Sequence, residues 1–97
     1  LEILRQVNDP RLRLCLDVGH VNAYSKVSAK TWLEESGDYL SHLHIHNNDG
    51  SWDTHSALFE GTLPIRELLE IAMGRADVTA TLELPDCLPS VKWLLEE

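Results

Sequence analysis

A chain of 97 residues, 43% hydrophobic and 25% charged, has room for a single core at most and the composition of an ordinary soluble domain. Its net charge of -8 opposes a phosphate backbone, no apolar run approaches the ~20 residues of a membrane span, and no signal peptide opens it. Nucleic acid and membrane are therefore not expected partners. Cys15 and Cys87 form no Cys-x-x-Cys pair, so they read as small packing residues of a reduced, cytoplasmic protein.

Leu4 and Val7 share one side of an opening helical segment, which Asn8-Asp9-Pro10 stops. Leu12, Leu14, Leu16 and Val18 then alternate with Arg13, Cys15 and Asp17, which predicts a strand with one aliphatic face. Asp17 stands at its far end, and Gly19-His20 leads into a loop. Ser28 is an N-cap for a short helix that carries Trp32 and Leu33 and ends at Gly37.

Ser41-His42-Leu43-His44-Ile45-His46 is the stretch around which the chain is organised. In an extended strand its aliphatics point one way and all three imidazoles the other. Histidines at period two suit the inside of a barrel whose open end binds a metal. Asn47-Asn48-Asp49-Gly50 reads as a turn and delivers Asp53 and His55 two residues apart. Thr62 caps a further helix with Pro64 in its first turn. Ile65, Leu68, Leu69 and Ala72 mark its apolar face, and Gly74 closes it. Val78, Ala80, Leu82 and Leu84 alternate with Thr79, Thr81 and Glu83 as a third strand, which Pro85 ends. Val91, Leu94 and Leu95 begin the last helix.

Strands alternating with helices predict an α/β fold of right-handed, parallel βαβ units. Each strand's polar face ends, at the C-terminal tip, in a metal-ligand type: Asp17, His46 and Glu83. In (β/α)8 barrels the active site lies at that end of the strands. With His20, Asp53 and His55 these residues form a set of oxygen and nitrogen donors suited to Zn²⁺ or Mn²⁺, and acceptable to Co²⁺, Fe²⁺ or Mg²⁺.

Simpler readings stand beside these. Asp17 could cap a backbone group, although His20 three residues on favours ligation. Asp53 and His55 could equally be polar residues of a solvated loop. Glu83 lies between two helix-facing leucines and so points inward, where a cation would offset its charge. His44, one layer deeper, reads as a satisfied histidine that orients a ligand, and His42 as structural or exposed. Trp52 and Asn48 join His44 as residues placed to touch substrate or steady the ligands. Asn22, Tyr24 and Lys26 read as plain loop.

Leu16-Asp17-Val18-Gly19-His20, His46-Asn47-Asn48-Asp49-Gly50, Asp53-Thr54-His55 with Glu60-Gly61, and Leu82-Glu83 resemble the last three βα units of the xylose-isomerase-like TIM barrels. That superfamily holds sugar and sugar-phosphate isomerases and epimerases, and the endonuclease IV DNA-repair enzymes. The resemblance implies that residues 1–97 form a partial TIM-barrel domain, the C-terminal part of a (β/α)8 barrel. It makes Asp17, His46 and Glu83 ligands of a central metal, with a further carboxylate from a strand outside this sequence. In the endonuclease branch, His20, Asp53 and His55 look like ligands of another zinc. In the isomerase branch, Glu83 would also shuttle a proton beside a metal-polarised carbonyl.

Phe59 departs from the family's usual glycine, which puts the shape of that loop in question. The short link from His46 to Asp53 is more like the isomerase-type members. The reading is therefore a metal-dependent isomerase or epimerase acting on a sugar, sugar phosphate or related polyol. The alternatives are an endonuclease IV-like zinc phosphodiesterase at abasic DNA, and a non-catalytic fragment of such a barrel. Three strands also leave two open edges, to be covered by the remainder of a barrel or by self-association. On that reading the 97 residues alone are not an active monomer.

Overall fold

The computed structural model describes residues 2–75 and 77–96. Helix α1 (Glu2–Val7) ends at Asn8, whose φ of +50° is one that asparagine tolerates. Strand β1 (Leu14–Asp17), strand β2 (Leu40–Ile45) and strand β3 (Thr79–Leu82) form one parallel sheet in the order β1-β2-β3. Asp17 pairs with His44 and His44 with Thr81, so the strand tips lie level. Among the described residues β1 and β3 each pair on one edge only.

Helices α2 (Val18–Tyr24) and α3 (Ala29–Ser36) lie in the crossover from β1 to β2, α4 (Ile65–Met73) in that from β2 to β3, and α5 (Leu88–Leu95) follows β3. Leu16, Leu43 and Ile45 turn from the sheet into a core with Leu33, Ile65, Leu68 and Ala72, all 5% exposed or less. The remaining face of the sheet carries the histidines. This is the βα-unit architecture of part of a TIM barrel. No helix among the described residues is long and apolar enough to cross a membrane.

The element boundaries differ from expectation where a side chain caps or turns the backbone. Val18 leaves β1 and opens α2, because the Asp17 carboxylate accepts the His20 N–H at 2.8 Å. A helix, not a loop, therefore follows the first tip. Ser28 caps α3 as expected, its hydroxyl accepting the Thr31 N–H. Thr62 does not cap α4. That helix starts at Ile65, after Pro64, while the Thr62 hydroxyl accepts from Asn22 and reaches the Asn48 carbonyl. β3 is shorter than its alternation, yet the Glu83 N–H still donates to Ile45 O at 3.0 Å and carries the ladder to the tip. The cysteines depart from the packing role: Cys15 lies exposed on the histidine face and Cys87 is half-buried.

Candidate metal centre

The three strand tips and the loop after β2 converge. Asp17 Oδ1 lies 2.7 Å from His46 Nε2, and Asp17 Oδ2 lies 3.4 Å from His20 Nδ1. Asp53 Oδ2 is 3.0 Å from His20 Nε2, while its Oδ1 lies 3.6 Å from His46 Nδ1 and 3.5 Å from His55 Nε2. The His55 ring stacks on that of His46, centroids 3.8 Å apart and planes at 1°, and its Nδ1 donates to Glu83 O at 2.9 Å. Two donor groups arise, each with its ligand atoms within 4.8 Å of one another: His20, His46, Asp53 and His55, and Asp17, His46 and Glu83. His46 belongs to both and is fully buried.

The loop owes its shape to two buried amides. Asn47 donates through Nδ2 to the carbonyls of Leu58 and Leu63, and accepts through Oδ1 from the N–H groups of Asn48 and Leu63. Asn48 donates to Gly19 O and accepts from Asn22 and the Gly50 N–H. Gly61 must be glycine here. At φ +136° any Cβ would run into the Asn48 carbonyl and the Asn47 amide. His55, with φ +50°, uses the left-handed region to bring its ring back over the site.

Hydrogen bonding fixes where the bare lone pairs point. His46 Nε2 faces an Asp17 carboxylate oxygen that accepts, so in the neutral ring Nε2 is the donor and Nδ1 is bare. His55 Nδ1 faces a carbonyl, so in the neutral ring its Nε2 is bare. Both bare nitrogens face Asp53 Oδ1. Among the described residues, His46 Nδ1 and Asp53 Oδ1 are also the two buried side-chain polar atoms without a hydrogen-bond partner. Leaving such atoms unmet costs about 1–3 kcal/mol each. Two bare nitrogens beside one carboxylate oxygen, 3.6 and 3.5 Å away, suit a cation, and nitrogen with carboxylate suits Zn²⁺ or Mn²⁺. The residues fit a divalent metal. The same field acts on His55, whose pKa is raised above the usual value. The Glu83 carbonyl is the main cause, against a smaller desolvation penalty and with help from the charges of Asp53, Glu83 and Asp17.

A family model described as xylose isomerase-like TIM barrel matches residues 1–96. The chain belongs to that family. It is 37% identical over 87 residues to fructoselysine 3-epimerase of Shigella flexneri, covering 87% of this chain and 30% of that protein. Fructoselysine 3-epimerase of Escherichia coli O157:H7 is 38% identical over 77% of this chain and 27% of its own length. An uncharacterised protein of Methanocaldococcus jannaschii is 32% identical over 72% of this chain and 24% of its own length. The chain thus spans about a quarter to a third of the curated relatives it matches. No solved structure matches.

Within this xylose isomerase-like chain the other candidate residues take separate places. His44 Nδ1 lies 3.0 Å from Glu83 Oε1 and 4.0 Å from Asp17 Oδ2, between two outer strand tips. Asn48 is buried, with its amide bonded to Gly19 O and the Gly50 N–H, and so it steadies the loop. Trp52 is exposed beside Asp53. His42 is half-buried, its two ring nitrogens 2.7 and 2.9 Å from the hydroxyls of Thr79 and Thr81. Phe59 stands exposed with its ring centroid 6.1 Å from that of Trp93, on the outer side of the loop. Sequence reasoning missed Asn47 and undervalued Asn22. The signal was present in the Asn-Asn pair directly after a buried strand, where amides can replace absent ladder bonds.

Proposed function

We propose that these residues are three βα units of a larger barrel domain that isomerises or epimerises a sugar, sugar phosphate or related polyol. The observation that carries the reading is the pair of unpartnered buried atoms, His46 Nδ1 and Asp53 Oδ1, at the C-terminal end of a parallel sheet. His20, His46, Asp53 and His55, with Asp17 and Glu83 alongside, would hold a divalent metal, Zn²⁺ or Mn²⁺ by their donor types. A bound divalent ion supplies a positive charge that polarises a substrate carbonyl and eases loss of the neighbouring proton.

Glu83 is the proton-moving group. Its backbone is pinned on both sides, the N–H on Ile45 O and the carbonyl by His55 Nδ1. Its half-buried carboxylate stays open to the face of the sheet, 3.0 Å from His44 Nδ1. From there it takes a proton from the carbon beside the carbonyl and returns it. For an epimerisation a second carboxylate must serve the opposite face of that carbon, and it would come from outside these residues. The relatives' name, fructoselysine 3-epimerase, supports a keto-sugar derivative as substrate.

The test uses the full-length protein in D₂O with fructoselysine and simple ketoses, following deuterium at the carbon next to the carbonyl by NMR. Exchange that needs a divalent metal and disappears in Glu83→Gln is expected. Exchange at the wild-type rate in Glu83→Gln would remove Glu83 from the mechanism. The donor group around Asp53 favours one second reading, the zinc phosphodiesterase. More than one metal per chain together with nicking of abasic duplex would support it over the epimerase.

A further inference from the structure

Gly19, like Gly61, is a position where an ordinary side chain cannot stand, although it lies in helix α2, where glycine costs about 1 kcal/mol relative to alanine. Its φ is not in the left-handed region, so backbone freedom is not the reason. The reason is the neighbour. A Cβ at Gly19 would stand 2.6 Å from His46 Nε2 and closer still to Cε1 and Nδ1 of the same ring. The imidazole of His46 occupies the volume a methyl group would need. On its other face lies the parallel ring of His55 at 3.8 Å, and the ring is fully buried. His46 is therefore clamped between the Gly19 Cα and His55, with Asp17 Oδ1 fixing the rotation about its axis.

We infer that Gly19 is a positioning residue of the metal centre: its missing side chain is the seat that aims His46 Nδ1 at Asp53. Two further contacts hold the seat at its depth. The Gly19 carbonyl accepts from Asn48 Nδ2 at 2.9 Å, and the next residue's N–H is taken by Asp17. A side chain at residue 19 has three ways out. It can lift α2 off the sheet, breaking the Asn48 bond, or push His46 into His55, or turn His46 off Asp17. Each moves Nδ1 away from Asp53 Oδ1, and packed interiors resist all three.

This inference rests on the metal-binding reading above, and a double-mutant cycle tests it in the full-length protein. Gly19→Ala, His46→Ala and the double variant are compared for thermal midpoint without metal, and for affinity and visible absorption spectrum with Co²⁺. Gly19→Ala alone is expected to weaken Co²⁺ binding by about ten-fold or more and to alter the spectrum. Added to His46→Ala, which empties the seat, it should lower neither midpoint nor affinity, because the cost of a side chain at residue 19 arises only where the His46 ring stands. Equal cost in both backgrounds, or a wild-type spectrum and affinity in Gly19→Ala, would overturn it. If Gly19→Ala does not fold, a folded double variant supports the inference, and a double variant that fails where His46→Ala folds overturns it. A wild-type protein that takes no Co²⁺ defeats the metal reading instead, while the metal-free midpoints still report whether residues 19 and 46 couple.

Discussion

The two ends of the sheet handle charge in opposite ways. At the N-terminal end, Arg13 gives Nη2 to the carbonyls of Asp38 and Leu40 and Nη1 to Asp77 at 2.9 Å. Arg75 gives its guanidinium to the carbonyls of Leu33 and Gly37, the last turn of α3. Those cations close helix and strand ends that would otherwise leave carbonyls unmet, and they leave little over. At the C-terminal end, acceptors face acceptors, and two buried atoms have no partner. One end of the sheet is electrostatically finished and the other is prepared for something more. In barrels built from βα units the active site lies at the C-terminal end of the strands, and the unmet acceptors fall at that same end here.

The largest expected effect strikes the unfinished end. His46→Ala removes the residue common to both donor groups, and metal affinity should fall more than about 100-fold, beyond what loss of an outer partner costs. Elemental analysis of both proteins checks this, and equal metal content would take His46 out of the site. Asn47→Ala attacks the scaffold of the same end. It strips partners from Leu58 O, Leu63 O, and the N–H groups of Asn48 and Leu63, at an expected cost of about 2–3 kcal/mol in chemical denaturation. A loss below about 0.5 kcal/mol would mean that the loop is not held by that amide.

At the finished end the effects are smaller and of another kind. Arg13→Ala should lower stability by about 1 kcal/mol and leave metal affinity per folded molecule unchanged. A fall in affinity would break the separation of the two ends. Smallest is a pH effect at Asp77, whose pKa Arg13 holds below the usual carboxylate value, first through their hydrogen bond and then through charge. A lowered carboxylate contributes stability above its unfolded pKa, and that contribution is lost as pH falls through the folded value. Wild type and Asp77→Asn should therefore differ near neutral pH and converge in acid, as urea midpoints across that range would show.

The fold was largely legible, because period-two aliphatics in Leu14–Leu16 and Leu43–Ile45 and the i, i+3, i+4 pattern from Ile65 respond to burial alone. The tips were legible for the same reason: a polar residue one step past a buried aliphatic must face the other side of the sheet. What escaped depended on side chains answering the backbone. Asp17 was read as a ligand or a cap, and it serves as cap to a helix that has no amphipathic pattern of its own. Thr62 looked like a cap and bonds across the loop instead. Asn47 and Asn48 read as part of a turn, with Asn48 placed to touch substrate or steady the ligands, since nothing in an amide's identity says whether water or a buried carbonyl receives it. The place of Gly19 against His46 follows from the approach of two elements far apart in sequence, and no local pattern encodes it.

The register of the sheet has a kinetic side. Leu14 meets Leu40 and His42 meets Thr79, each across an intervening helical crossover, so no strand pairs with a near neighbour in sequence. Such pairings pay loop-closure entropy before any contact rewards them, and they form late and slowly. The donors ride on that order. Asp17, His46 and Glu83 come from three successive units and meet only once both pairings are made. An ion that needs all three cannot act as an early nucleus for this sheet. It can lock the assembled sheet by slowing its opening, so metal should appear in the unfolding rate far more than in the folding rate.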